Sequence, residues 1–180
     1  FKWIARVPGI AYGYEEALGY CVAPHVVRDK DGVTAALLVA ELAAGLRAQG
    51  RSLLGLLDEL AVAHGVHATD SFSVRVSDVA LMPALMERLR GAPPRTVGGV
   101  SIARIDDLAR GDGGLPPTDG LRYLLADESR VIVRPSGTEP KVKCYLEVIE
   151  PVAGRADLGP ARARAQDRLT AIRADMQDAM

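Results

Sequence analysis

Apolar residues recur along the chain first with a helical period and later with an alternating one, and the change divides the sequence. From Asp31, Val33, Leu37, Ala40 and Ala44 return at three- and four-residue intervals, the spacing of one helix face, and Gln49-Gly50 closes the run. Ser52 suits the cap of a second helix, with Leu53, Leu56, Leu57 and Leu60 on one side and a stop near Gly65. Ahead of both, residues 9–14 read as a short strand feeding a loop that runs to about residue 29. One short strand cannot cover two apolar helix faces. Residues 1–65 are therefore expected either to rest on a partner chain or to be the tail of a larger α/β domain.

The alternating pattern begins near residue 66. Residues 67–76 predict a strand with Phe72, Val74 and Val76 on one side, and a helix of about 80–90 follows, kinked or started by Pro83 and broken by Gly91-Ala92-Pro93-Pro94. A second strand is expected at 97–105, a Gly/Asp/Pro-rich loop at 111–120, and three strands at about 121–126, 130–134 and 142–149. In the last, Val142, Cys144, Leu146 and Val148 face one way and Lys143, Tyr145 and Glu147 the other. A closing helix over 157–178 offers Ala165, Leu169, Ile172 and Met176 as its buried stripe. Residues 66–180 thus read as a self-sufficient α+β domain.

Composition narrows the partners. The 22 basic and 23 acidic side chains give a net charge of −1, which removes the electrostatic case for nucleic acid or an anionic membrane. No apolar run approaches the roughly 20 residues of a membrane helix. The two cysteines, Cys21 and Cys144, form no CxxC and read as small hydrophobes. The expectation is a cytoplasmic protein. Only Lys2, Lys30, Lys141 and Lys143 among the 22 cations are lysines, and all fall in segments whose composition suggests chemistry.

Arg134-Pro135-Ser136-Gly137-Thr138-Glu139-Pro140-Lys141 joins two strands. Arg134 can grip a phosphate with two N–H groups, Ser136 and Thr138 bring hydroxyls, and Gly137 lets the backbone approach an anion. The prolines stiffen both shoulders, and Lys141 and Lys143 add positive charge; an ordinary Ser-Gly turn is the plain alternative. The segment lacks Walker spacing, so nucleotide hydrolysis is not indicated. Glu15 and Glu16, between Gly13 and Gly19, could accept hydrogen bonds from sugar hydroxyls, or be solvated loop acids. Asp31 reads as a helix cap, which puts Lys30 just before a helix N-terminus. A cation there suits a shared anion, or else a salt bridge to Asp29 or Asp31. His64 and His67, three apart, read as residues at a helix end rather than metal ligands, and Trp3 as packing.

Phe1-Lys2-Trp3, Gly13-Tyr14-Glu15-Glu16-Ala17-Leu18-Gly19-Tyr20, Asp29-Lys30-Asp31-Gly32 and Arg134-Pro135-Ser136-Gly137-Thr138-Glu139-Pro140-Lys141 occur in that order. Together they resemble the C-terminal part of the α-D-phosphohexomutases, which include phosphoglucomutases, phosphomannomutases and a phosphopentomutase-like branch. The resemblance implies that 1–65 is the latter portion of an α/β third domain, carrying the sugar-specificity loop. Residues 66–180 would be a mobile α+β fourth domain, an antiparallel sheet with two helices that binds phosphate. It implies Glu15 for the sugar hydroxyls and Lys30 as a catalytic lysine near the transferring phosphoryl group. Arg134, Ser136, Gly137, Thr138 and Lys141 would bind the non-transferring phosphate. Ala17 stands where many members carry a serine, a departure that resembles the phosphomannomutase and phosphopentomutase-like branch.

The activity implied is phosphoryl transfer between C1 and C6 of a hexose phosphate, through a bisphosphorylated sugar that serves as intermediate and activator. The family's Mg²⁺ and phosphoserine reside in Asp-Gly-Asp-x-Asp-Arg-type and Ser-His-Asn-Pro-type loops, and neither occurs here; Gly111-Asp112-Gly113-Gly114 does not replace them. The chain is accordingly expected to act beside upstream domains of the same enzyme and to supply substrate grip. A pentose phosphate substrate, or a stand-alone phosphosugar-binding module without catalysis, are the alternatives.

Overall fold

The computed structural model describes residues 1, 3–15, 18–111 and 116–180. Lys2, Glu16, Ala17 and Asp112-Gly113-Gly114 lie outside the described residues. The chain forms two compact units, Phe1–Leu57 and Asp58–Met180.

The first unit departs from its expected beginning. In place of a strand over 9–14 and a long loop, a 3₁₀ turn at Ile4–Arg6 precedes a β-hairpin of β1 (Gly13–Glu15) and β2 (Gly19–Cys21). Gly13 pairs with Cys21, Tyr14 with Tyr20 and Glu15 with Gly19. The glycines that suggested a loop instead sit inside the ladder, where a side chain would collide with its neighbours. Helix α1 (Gly32–Ala48) starts where the sequence placed it: Asp31 accepts the N–H groups of Val33 and Thr34 at 3.2 and 3.0 Å. Along α1, Leu46 is buried and Leu37 is 70% exposed. Helix α2 (Leu53–His64) is capped by Ser52, whose Oγ accepts the Gly55 N–H at 3.0 Å, and the boundary between the units falls within it.

The second unit is α+β. Its sheet runs β3-β8-β7-β6-β5-β4, antiparallel throughout. The strands are β3 (Val66–Arg75), β4 (Thr96–Val97), β5 (Val100–Asp107), β6 (Leu121–Leu125), β7 (Arg130–Pro135) and β8 (Lys141–Glu150). Helices α3 (Leu81–Gly91) and α4 (Leu158–Ala179) cover one face. The strand expected at 97–105 is two strands, because Gly98 and Gly99, at φ +60° and +74°, fold the chain into a tight hairpin. At Gly98 no larger residue fits: an added Cβ would lie 2.6 Å from Ile172 Cγ1. Pro83 sits in the first turn of α3, where its missing N–H has no intrahelical acceptor to lose.

The core is what the alternation implied. Val142, Cys144, Leu146 and Val148 of β8 are buried with Leu121 and Tyr123 of β6, Met86 and Leu89 of α3, and Ala165, Leu169, Ile172 and Met176 of α4. Burial pushes the Cys144 thiol up to about 12, so it stays protonated as a core residue. The same alternation turns Lys141, Lys143 and Tyr145 toward the opposite face of the sheet, at the end where β7 connects to β8.

Candidate functional site

The predicted site residues fall into two groups, one in each unit. In the first, Asp31 N–H donates to the Tyr20 carbonyl at 2.8 Å, which ties the start of α1 to β2. That tie places Lys30 beside the hairpin, with its Nζ 3.5 Å from Glu15 Oε1 and 5.3 Å from the centre of the Phe1 ring. Lys30 thus pairs with Glu15, not with Asp29 or Asp31. Asp31 is engaged as the cap of α1, and Asp29 accepts the Lys30 backbone N–H at 2.7 Å.

Sequence reasoning passed over Gly19 as a site residue. It lies directly across the ladder from Glu15, and a Cβ there would come within 2.2 Å of Glu15 Cγ and 2.8 Å of Lys30 Cδ. The acid and the lysine meet over a bare backbone position. Once the hairpin is known, its register gives the signal.

In the second unit, Arg134 ends β7 with Lys143 directly opposite on β8. Its guanidinium lies 5.8 Å from the centre of the Tyr145 ring, and Nη2 donates to the Tyr145 hydroxyl at 3.5 Å. The connection is pinned by two backbone bonds, Ser136 N–H to the Lys141 carbonyl at 2.9 Å and Lys141 N–H to the Glu139 carbonyl at 2.8 Å. Val76 N–H binds the Pro140 carbonyl at 3.0 Å and anchors the loop to the chain after β3. Gly137 and Thr138 are exposed, and nothing lies within 4 Å of where a Gly137 side chain would be, so the loop's backbone is open to an approaching group.

Lys141 is engaged within the loop. Its Nζ is 2.6 Å from Glu139 Oε1, and Arg75, its register partner on β3, reaches Glu139 Oε2 at 3.8 Å. The bond from Lys141 holds the Glu139 carboxyl low, with its charge, Arg75 and Lys143 assisting and partial desolvation opposing. Arg75 and Tyr145 carry no motif of their own, and only the sheet brings them to the loop. The arrangement presents Lys141, Lys143 and Arg75 around one carboxylate, with Arg134 across the ladder from Lys143, beside two hydroxyl side chains and open backbone. That chemistry suits a small, multiply charged oxyanion.

His25, His64 and His67 are exposed. Among the described residues, no group of three or more His, Cys, Asp or Glu side chains is placed to hold a metal ion. These residues do not form the kind of site that the implied Mg²⁺ would need. No helix is long and apolar enough to cross a membrane.

Comparison with known proteins gives the arrangement a context. Residues 2–63 match the family model of phosphoglucomutase/phosphomannomutase alpha/beta/alpha domain III, and residues 72–155 match that of the C-terminal domain. A probable phosphomannomutase of Haemophilus influenzae is 42% identical over 82% of this chain and 30% of its own length. The human phosphopentomutase is 32% identical over 96% of this chain and 32% of its own. The chain therefore spans about a third of these relatives. A crystal structure of the exocytosis-sensitive phosphoprotein pp63/parafusin of Paramecium, in an open form, superposes with a TM-score of 0.63 at 20% identity, covering 94% of this chain and 29% of that one.

Proposed function

The chain belongs to the phosphoglucomutase/phosphomannomutase family, and from that premise we propose that it is the substrate-gripping part of a phosphomutase. The enzyme would move a phosphoryl group between C1 and C6 of a hexose phosphate through a bisphosphorylated sugar. The observation that carries this reading is the loop between β7 and β8, which offers an exposed guanidinium, two hydroxyls and open backbone on a face lined by Lys143 and Arg75.

In this reading Arg134 binds the phosphate that is not being transferred with two charge-assisted hydrogen bonds, and Ser136, Thr138 and the Gly137 backbone complete its shell. Lys141 supplies a further positive charge. In the first unit, Glu15 accepts bonds from sugar hydroxyls, and Lys30 offers an ammonium to a phosphoryl oxygen. Neither the phosphoserine-type nor the metal-type loop is among the 180 residues, so these side chains bind and orient while the bond-making groups lie elsewhere.

A phosphate titration of the 180-residue chain, followed by amide NMR, should move Gly137 and Thr138. Arg134→Ala should weaken phosphate about tenfold or more, the scale of a lost charged hydrogen bond. In a mutase that carries this chain, the same change should lower kcat/KM for the sugar phosphate by about a hundredfold. Unchanged binding and kinetics would sink the assignment.

A pentose phosphate is the second reading, favoured by the phosphopentomutase match over 96% of the chain. The ratio of kcat/KM for mannose 1-phosphate to that for ribose 1-phosphate separates the two.

A further inference from the structure

Arg134 is the last outward-facing residue of β7, an exposed position from which a long side chain has many rotamers to choose. One neighbour restricts it. Tyr145 is on the same face of β8, opposite Ile132, and so lies diagonally from Arg134 across the β7–β8 pair. Diagonal neighbours are within reach of aromatic and long side chains. The guanidinium lies 5.8 Å from the ring centre, with Nη2 3.5 Å from the hydroxyl. The residue belongs to an inner strand, since Tyr145 also pairs with Ser71 on β3.

We propose that Tyr145 is the positioning residue of the phosphate grip: its ring is the platform that holds the Arg134 guanidinium over the open face of the sheet, beside Lys143, so that its remaining N–H groups are presented to one phosphate. Beside the ring, Arg134 gives up at most the long Nη2 contact to the hydroxyl and keeps its other N–H groups for an anion, whereas a carboxylate partner in the same place would occupy two of them. Arg134 has no carboxylate partner among the described residues, in contrast to Lys141, which Glu139 engages. Tyr145 touches no phosphate in this scheme and acts only through Arg134, by lowering the rotameric freedom lost on binding.

This inference rests on the reading of Arg134 as a phosphate ligand, and a double-mutant cycle keeps the two apart. Inorganic phosphate is titrated into the 180-residue chain carrying Arg134→Ala, Tyr145→Leu, both together, or Tyr145→Phe, with thermal unfolding measured for each. Tyr145→Leu should weaken phosphate about threefold, the scale of an exposed cation–π contact. Tyr145→Phe, which keeps the ring, should recover most of that loss, and Tyr145→Leu should add nothing once Arg134 is gone. Normal binding by Tyr145→Leu would overturn the platform role, as would losses that add in the double mutant or a Phe variant as weak as Leu. No effect of Arg134→Ala would overturn the phosphate reading itself. Tyr145 is on the open face of the sheet, away from the helix-covered core, so these variants should unfold near the parent temperature.

Discussion

Glu139 is the one carboxylate between Arg134 and Lys141, and it stands in a loop whose other features suit an anion. Its oxygens take Lys141 at 2.6 Å and Arg75 at 3.8 Å, so it fills internally the place that an external oxyanion would compete for. An arriving phosphate must share these cations with it. Glu139→Gln keeps the shape of the side chain and removes the competing charge. Phosphate should then bind more tightly, by about threefold, the scale of a half-exposed ion pair. Weaker binding in a phosphate titration of E139Q would show that Glu139 orders Lys141 for the ligand instead of competing for it.

At the scale of elements, what the sequence discloses depends on whether a pattern is local. The stripe of α4 and the alternation of β8 were legible because each repeats within one segment and faces one core. The hairpin of β1 and β2 was hidden by glycines that read as loop formers, and the split at Gly98-Gly99 by a run of apolar residues continuous on either side. The site followed the same rule. Arg134, Ser136 and Thr138 stand in one motif, whereas Arg75 and Tyr145 join them only through strand register.

A further long-range feature is the clamp at the end of β8. Glu150 accepts from Arg164 Nε at 2.6 Å and Arg168 Nη1 at 2.7 Å, and Arg168 also binds the buried Ser129 and Asp127, so α4 is fastened to two strand ends. The Arg164 bond above all, then Arg168, holds the Glu150 carboxyl below its ordinary 4.5 against partial desolvation. A group whose folded pKa is depressed stabilises the fold above its unfolded value, and that contribution disappears as pH falls through the folded value. Stability measured from pH 6 downward should therefore begin to fall near pH 4.5 and continue below it. Glu150→Gln should be less stable at pH 6 and show a flatter acid limb. An unchanged acid limb would remove Glu150 from the linkage.

The two units bury very different amounts of apolar surface. In Phe1–Leu57 the buried hydrophobic side chains among the described residues are Cys21 and Leu46, while Val33, Leu37, Leu54 and Leu57 are exposed. In Asp58–Met180 the sheet and helices enclose Tyr123, Met86, Leu89, Leu146, Leu169, Ile172 and Met176. Since burial carries most of the stabilisation, the first unit should unfold before the second. The single tryptophan makes this readable, for Trp3 lies in the first unit and its fluorescence reports that unit alone. In a urea titration the Trp3 signal should change at lower denaturant than the far-ultraviolet signal of the sheet. Phosphate adds a second coordinate. A ligand that binds only the folded second unit stabilises that unit, by about 2.7 kcal/mol at a hundredfold excess over its Kd, and moves only the later transition. Coincident transitions would mean that the units fold as one. A phosphate shift confined to Trp3 would place the anion on the first unit, at Lys30, and not on the loop that follows β7.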